Sequence, residues 1–177
     1  MKNINWDHVN FFSKDEFNED PDKYAEPQLI YALSHFRINL NECVFVSPVK
    51  GAFARFDGSK TSQHFVDSKE HPSKKSTGID VFPEGIPIAI FSCLLNQRLI
   101  KGIGIYLDTT GNDGHPWVMF HIDIRKTGFK NLPLIWFCTK DNGINKYYYP
   151  QTNPEYWSFL KDERMYIRKE FGVSSIK

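Results

Sequence analysis

Trp117-Val118-Met119-Phe120-His121-Ile122-Asp123-Ile124-Arg125 is the stretch on which the fold turns. Successive side chains of a strand point to opposite faces. His121, Asp123 and Arg125 therefore share one face, and Phe120, Ile122 and Ile124 the other. One face belongs to a core, and the other collects groups that do chemistry. Working outward, residues 103–107, 134–138 and 146–149 read as further strands, divided by Gly/Asn/Asp turns at 111–114 and 141–145. Upstream, Val44-Phe45-Val46 and residues 79–82 are short β-rich runs.

Helical signals precede this sheet. Ser13-Lys14-Asp15-Glu16 has capping-box spacing behind Phe11-Phe12 and predicts a short helix that Pro21 ends. Pro27 opens a second helix, with Leu29, Ile30, Leu33, Phe36 and Leu40 at three- and four-residue spacing and Asn39 and Asn41 at its exit. Residues 86–96 predict a buried helix, and 48–75, rich in Gly, Ser, Lys and Asp, a long loop of the kind that is usually functional or disordered. Helices first and a mostly antiparallel sheet after them make an α+β fold, with N-terminal helices packed on a small sheet. A single domain over 1–177 is expected, its core at about 10–150 and an aromatic tail, 151–177, folded back on it.

At 177 residues and 41% hydrophobic side chains, the chain has the apolar content for one core. Lys plus Arg total 22 against 21 for Asp plus Glu. That balance gives no overall pull toward nucleic acid or an anionic membrane. Lys60, Lys69, Lys74 and Lys75 are interleaved with Asp57, Asp67 and Glu70, and no aromatic-basic platform accompanies them, so nucleic acid is not expected as a partner. The longest apolar run, broken by Pro87 and Ser92, is about half of the ~20 residues a membrane span needs. The start lacks the basic and apolar stretches of a secretory signal, so synthesis in the cytoplasm without a signal peptide is expected. Cys43, Cys93 and Cys138, odd in number and in apolar surroundings, read as reduced core cysteines. No sequence feature fixes an oligomeric state.

Two further residues stand beside His121. His64 lies in Thr61-Ser62-Gln63-His64, and Asp80 sits between Ile79 and Val81 on a strand entering the core. A carboxylate there needs a partner, because an unpaired buried charge is costly. Two imidazoles and one carboxylate are a reasonable three-ligand catalytic zinc set with the fourth position left for water. Asp123 suits either general base or the carboxylate that orients an imidazole. Ordinary polar pairing is the competing account: His121 with Asp123 or Arg125, and Asp80 as a cap or ion-pair partner.

The segments Ser62-Gln63-His64, Gly78-Ile79-Asp80-Val81 and Phe120-His121-Ile122-Asp123 resemble, in order and flanks, the zinc peptidases that include D-alanyl-D-alanine carboxypeptidases and L-alanyl-D-glutamate endopeptidases, whose fold Hedgehog-type domains share. Asn10-Phe11-Phe12-Ser13-Lys14-Asp15-Glu16-Phe17 is similar to the opening of short bacterial and phage members. Gly102-Ile103-Gly104-Ile105-Tyr106 and Trp136-Phe137 are similar to their C-terminal half, so the resemblance spans about residues 10 to 140. It implies zinc on His64, Asp80 and His121, an Arg55 that contacts substrate or the tetrahedral intermediate, and a Ser62 that supports ligand geometry. Trp117 and Tyr106 would line the cleft.

The chain departs from the family pattern at two places. His64 and Asp80 are 16 positions apart where seven is usual, which makes residues 65–75 an insertion and His71 a rival ligand, read here as a solvated loop residue. Many members carry Glu or Asp three residues before the last His, and here that residue is Val118. The base then falls to Asp123, Asp113 or His115. The resemblance implies a zinc-dependent peptidase acting on peptidoglycan stem peptides with D-amino acids, delivered by phage lysis or carried in a virion. A zinc-stabilised binding or virion structural module of the same fold, without catalysis, is the alternative.

Overall fold

The computed structural model describes residues 3–85, 87–110, 116–126 and 133–149. The expected tail, 151–177, and the turn carrying Asp113 and His115 lie outside them. Six strands form one sheet: β1 (Val44–Val46), β2 (Gly78–Pro83), β3 (Gly102–Thr110), β4 (Pro116–Asp123), β5 (Leu134–Asp141) and β6 (Ile144–Tyr148). Their order is β1-β2-β4-β3-β5-β6. All neighbours are antiparallel except β3 and β5. That exception follows from the order: β4 returns beside β3, and β5, running against β4, occupies the other edge of β3. The mixed α and β architecture with a mostly antiparallel sheet thus agrees with the α+β expectation.

The sheet's alternation builds the core. Ile79, Val81, Ile103, Ile105, Phe120, Ile122, Ile135 and Phe137 are buried and belong to one apolar cluster with Leu29, Ile30, Leu33 and Phe36 of α2 (Pro27–Leu40). Each fully buried Leu, Ile or Phe contributes about 1.5–3 kcal/mol over an exposed one. α2 starts on Pro27 as read. It stops at Asn41, whose left-handed backbone (φ 56°) lets its N–H bond to the Arg37 carbonyl at 3.0 Å. Arg37 also reaches Glu16 at 3.0 Å and lies 4.5 Å from the Phe12 ring centre, tying the N-terminal segment to this helix.

Four details differ from the sequence reading. Lys14–Glu16 is a single 3-10 turn, in which Glu16 accepts from the Ser13 N–H at 2.9 Å. Pro21 does not close a helix but opens α1 (Pro21–Tyr24), with Asp20 as its cap, because a proline at the first helical position loses no hydrogen bond. Among its described side chains, α3 (Pro87–Leu95) is buried on one side only: Ile90 and Leu94, one turn apart, face the core, Phe91 and Cys93 pack partly against it, and Leu95 is exposed. Of the cysteines, all free, only Cys138 is a core residue; Cys93 is half-buried and Cys43 exposed. Among the described residues no helix is long and apolar enough to cross a membrane.

The 48–75 segment is a loop with fixed anchors. Arg55 pairs with Phe65, its N–H bonding to the His64 carbonyl and its own carbonyl accepting from Val66, both at 2.8 Å. The insertion folds onto α1. Tyr24 donates to the Lys69 carbonyl and the buried Lys75 ammonium to the Asp22 carbonyl, each at 2.8 Å. Asp67 accepts the N–H groups of Ser73 and Lys74 at 2.9 Å, which closes the insertion on itself.

Candidate metal centre

Strand register assembles the site. Asp80 on β2 stands directly opposite His121 on β4, which stands opposite Gly104 on β3, and Gly104 opposite Trp136 on β5. The next row in register is Gly78, Asp123, Gly102 and Leu134. Both rows lie on the face away from the Ile79–Ile122 core. His64 comes from the loop and is held against this face by backbone stitches. Thr77 N–H bonds to the Gln63 carbonyl at 2.8 Å, and the buried Ser76 hydroxyl lies 2.7, 2.8 and 3.2 Å from the carbonyls of Phe53, Gly78 and Gln63.

Three donor atoms converge. His64 Nε2 is 2.9 Å from His121 Nδ1, His121 Nδ1 is 2.9 Å from Asp80 Oδ1, and His64 Nε2 is 3.4 Å from Asp80 Oδ1. The side chains of His64, Asp80 and His121 are 7%, 13% and 6% exposed, so the group is nearly enclosed and opens at Asp80. These three residues could hold a metal ion. The fit is good on chemistry and on size. Ligands at about 2.0–2.1 Å around a tetrahedral ion stand about 3.3 Å from one another, close to the separations found. One proton on His121 Nδ1 can serve two acceptors, whereas a divalent cation would serve all three lone pairs. His64 Nδ1 is buried without a partner. Leaving it so costs about 1–3 kcal/mol, far below the roughly 10–16 kcal/mol of a structural zinc site.

Electrostatics follow from the same contacts. Burial works against a charged His121, but the hydrogen bonds from its ring to Asp123 and Asp80 outweigh it and raise the pKa to about 9. Burial would raise both carboxyls. Instead the two imidazoles hold Asp80 well below the usual carboxylate range, and Arg125 and His121 bring Asp123 down to about 2. Tyr106, half-buried on the same face, has its hydroxyl pushed above the ordinary tyrosine value by burial and by the charge of Asp80.

The structure brings some of the expected residues together and leaves others apart. Ser62 Oγ accepts from the His64 N–H at 3.2 Å. His71 is an exposed loop residue away from the triad. Arg55 is exposed and makes no ion pair with Asp57 or Asp67; its guanidinium folds back toward the Gly51 carbonyl at 3.5 Å. Gly51 precedes Ala52, whose carbonyl accepts from the Asp80 N–H at 2.9 Å, so Arg55 sits on the loop that flanks the carboxylate ligand. Trp117 is in β4, opposite Thr109, with its side chain outside the described set. Asp113 and His115 lie outside it altogether. Of the two roles open to Asp123, the hydrogen bonds match support of an imidazole: its Oδ2 is 3.1 Å from His121 Nε2, the ring nitrogen facing away from Asp80.

The sequence reading missed the glycines that hollow out this face. A Cβ at Gly104 would come within 2.6 Å of the Trp136 ring, one at Gly102 within 2.5 Å of the Asp123 carboxyl, and one at Gly78 within 2.9 Å of His121. Gly-Ile-Gly at 102–104, alternating in a strand, was the available signal, because glycine inside a strand marks close approach. Compared with known proteins, the chain matches no family model, and no curated protein or solved structure is found to be similar to it.

Proposed function

We propose that this protein is a zinc-dependent peptidase that hydrolyses cell-wall stem peptides containing D-amino acids, of the kind used in phage lysis or carried in a virion. The observation that carries the reading is the meeting of His64 Nε2, Asp80 Oδ1 and His121 Nδ1, from a loop and two strands, at one nearly enclosed point. The order and flanks of the Ser-Gln-His, Gly-Ile-Asp and His-Ile-Asp segments give the support for the substrate class.

Zinc, when bound, supplies a Lewis acid and lowers the pKa of water toward neutrality. His64, Asp80 and His121 would hold it. The guanidinium of Arg55, which makes no ion pair among the described residues, suits the charge that develops on a carbonyl oxygen or a terminal carboxylate of the peptide. Asp123 orients His121, and the proton acceptor in this reading is Asp113 or His115, from the segment before β4.

One observation favours the second reading, a zinc-stabilised binding module without catalysis. Val118, at the position where many of the resembling peptidases carry their base, faces the core on the opposite side of β4 from His121. Elemental mass spectrometry on protein purified without a His tag, followed by digestion of peptidoglycan fragments, separates the readings. About one zinc per chain, kept in His71→Ala and lost in His64→Ala, together with new amino termini released by wild type but not by Arg55→Ala, is the expected result. Zinc without cleavage leaves the binding module, and no zinc after metal is added back sinks both.

A further inference from the structure

We infer that Asp123, Arg125 and Trp136 act together as a positioning unit for His121, fixing which ring nitrogen it presents to the metal. The inference rests on the metal centre of the proposed function, but not on its peptidase chemistry.

Imidazole can bind a metal through either nitrogen, and the hydrogen bond made by one selects the other. Here Nε2 is 3.1 Å from Asp123 Oδ2, and Nδ1 faces Asp80 and His64. Asp123 is 0% exposed and has no freedom of its own. Arg125 Nε lies 2.8 Å from Oδ1 and 3.0 Å from Oδ2, the Arg125 backbone N–H lies 3.1 Å from Oδ1, and Nη2 contacts Oδ2. With both oxygens engaged, the carboxylate can only accept from Nε2–H. That leaves the Nδ1 lone pair for the metal.

Trp136 closes the unit from the side. Its ring centre is 5.2 Å from that of His121, and the Arg125 guanidinium carbon is 5.1 Å from it. The indole thus limits the tilt of the imidazole and holds the guanidinium by a cation–π contact. It can lie there only because Gly104, its register neighbour on β3, has no side chain. Gly78 and Gly102, directly opposite Asp123 on either side, leave space for the carboxylate and the ring edge in the same way.

The test measures zinc affinity by competition with a chromophoric chelator and reads the His121 tautomer from long-range 1H–15N correlations. Wild type, Asp123→Ala, Asp123→Asn, Arg125→Met and Arg125→Lys are compared. The wild-type zinc form should show His121 bound through Nδ1 and protonated at Nε2. Asp123→Ala should weaken zinc about 10–100-fold, the usual cost of losing an outer partner of a ligating histidine. Asp123→Asn, which still offers an acceptor to Nε2–H, should recover part of that loss and keep the tautomer. Arg125→Met should weaken zinc less than Asp123→Ala, and Arg125→Lys less than Arg125→Met. If Asp123→Ala does not fold, the Asp123→Asn and Arg125 comparisons carry the test. Tight zinc binding unchanged across the series, or His121 bound through Nε2, overturns the positioning role while leaving the metal centre in place. Absence of zinc binding in wild type, equal to that of His64→Ala, overturns both.

Discussion

Asp80 and His121 face each other across the β2–β4 ladder, with Oδ1 and Nδ1 2.9 Å apart. This pairing makes the candidate metal centre a property of sheet register, since a slip of one residue would turn every side chain of β2 to the other face. The apolar residues Ile79 and Val81, fully buried beside Asp80, hold the register. Asp80→Asn should therefore fold with the same sheet and lose the anionic ligand. Zinc affinity is expected to fall by more than the roughly 10–100-fold that loss of an outer partner costs. Chelator competition would measure it, and an unchanged affinity would remove Asp80 from the ligand set.

The metal-free protein should lose stability on the alkaline side. His121 has its pKa raised from 6.5 to about 9 in the fold, so its stabilising contribution is complete below about 6.5 and disappears as pH rises through about 9. Asp123, lowered from 3.8 to about 2, contributes above its ordinary value and loses that contribution as pH falls toward 2. Asp80 is lowered too and acts in the same direction. The melting temperature of apo-protein should thus be flat between about pH 4 and 6.5 and fall from 6.5 to 9. Zinc displaces the Nδ1 proton, so the increase in Tm on adding zinc should grow with pH over that range. A zinc-induced increase that is constant from pH 6 to 9 would contradict the arrangement.

Ser76 shows how the loop that carries His64 reaches the sheet. Its buried hydroxyl lies among three carbonyls, those of Phe53, Gly78 and Gln63, the last being the residue before His64. Ser76→Ala leaves a buried carbonyl without its donor and should cost about 1–3 kcal/mol. Chemical denaturation measures that loss, and weaker zinc binding should accompany it because His64 is less firmly held. A variant with wild-type stability and affinity would show that the backbone bonds of Thr77 and Gly78 to Gln63 suffice.

Most of the sheet was legible because its strands carry a clean two-residue alternation, as in Phe120-His121-Ile122-Asp123, and the convergence of His64, Asp80 and His121, which could hold a metal ion, because the three stand in recognisable local contexts. What was not legible depends on neighbours distant in sequence. α3 reads as buried on its composition, yet among its described side chains only Ile90 and Leu94 are buried, with Phe91 and Cys93 partly buried against the core. Asp123 reads equally as a base or a supporting carboxylate, and only the position of its oxygens behind His121 distinguishes the two. Gly102 and Gly104 look like weak points of a strand until Asp123 and Trp136 are seen to need the space.

Val118 offers a direct check on whether a base can be restored at the position usual in the resembling peptidases. It is three residues before His121, an odd separation along a strand, and belongs to the core cluster. Glutamate there would be buried among apolar groups without a partner, a placement that raises its pKa or unfolds the strand. Val118→Glu should lower the melting temperature substantially and add no peptidase activity. A stable Val118→Glu protein that cleaves peptidoglycan fragments faster than wild type would mean that β4 is placed differently when substrate binds.

Gly104→Ala tests the sheet face with the smallest possible change. Residue 104 sits opposite both His121 and Trp136, and a Cβ there would lie 2.5–2.6 Å from the indole ring. Two effects oppose each other. Alanine restricts the unfolded chain, which favours folding by about 0.4–1 kcal/mol. Displacing a packed indole costs typically about 1–3 kcal/mol. Because Trp136 is 7% exposed and packed against both His121 and Arg125, it cannot move without disturbing them, so the steric cost should win. The expected result is a net loss of stability together with weaker zinc binding. Gly143→Ala, with no atom within 4 Å of the added carbon but a left-handed φ of 80°, is the matched control: backbone strain should lower its stability while zinc affinity stays at the wild-type value. Equal zinc affinity in Gly104→Ala and wild type would separate Trp136 from the metal centre.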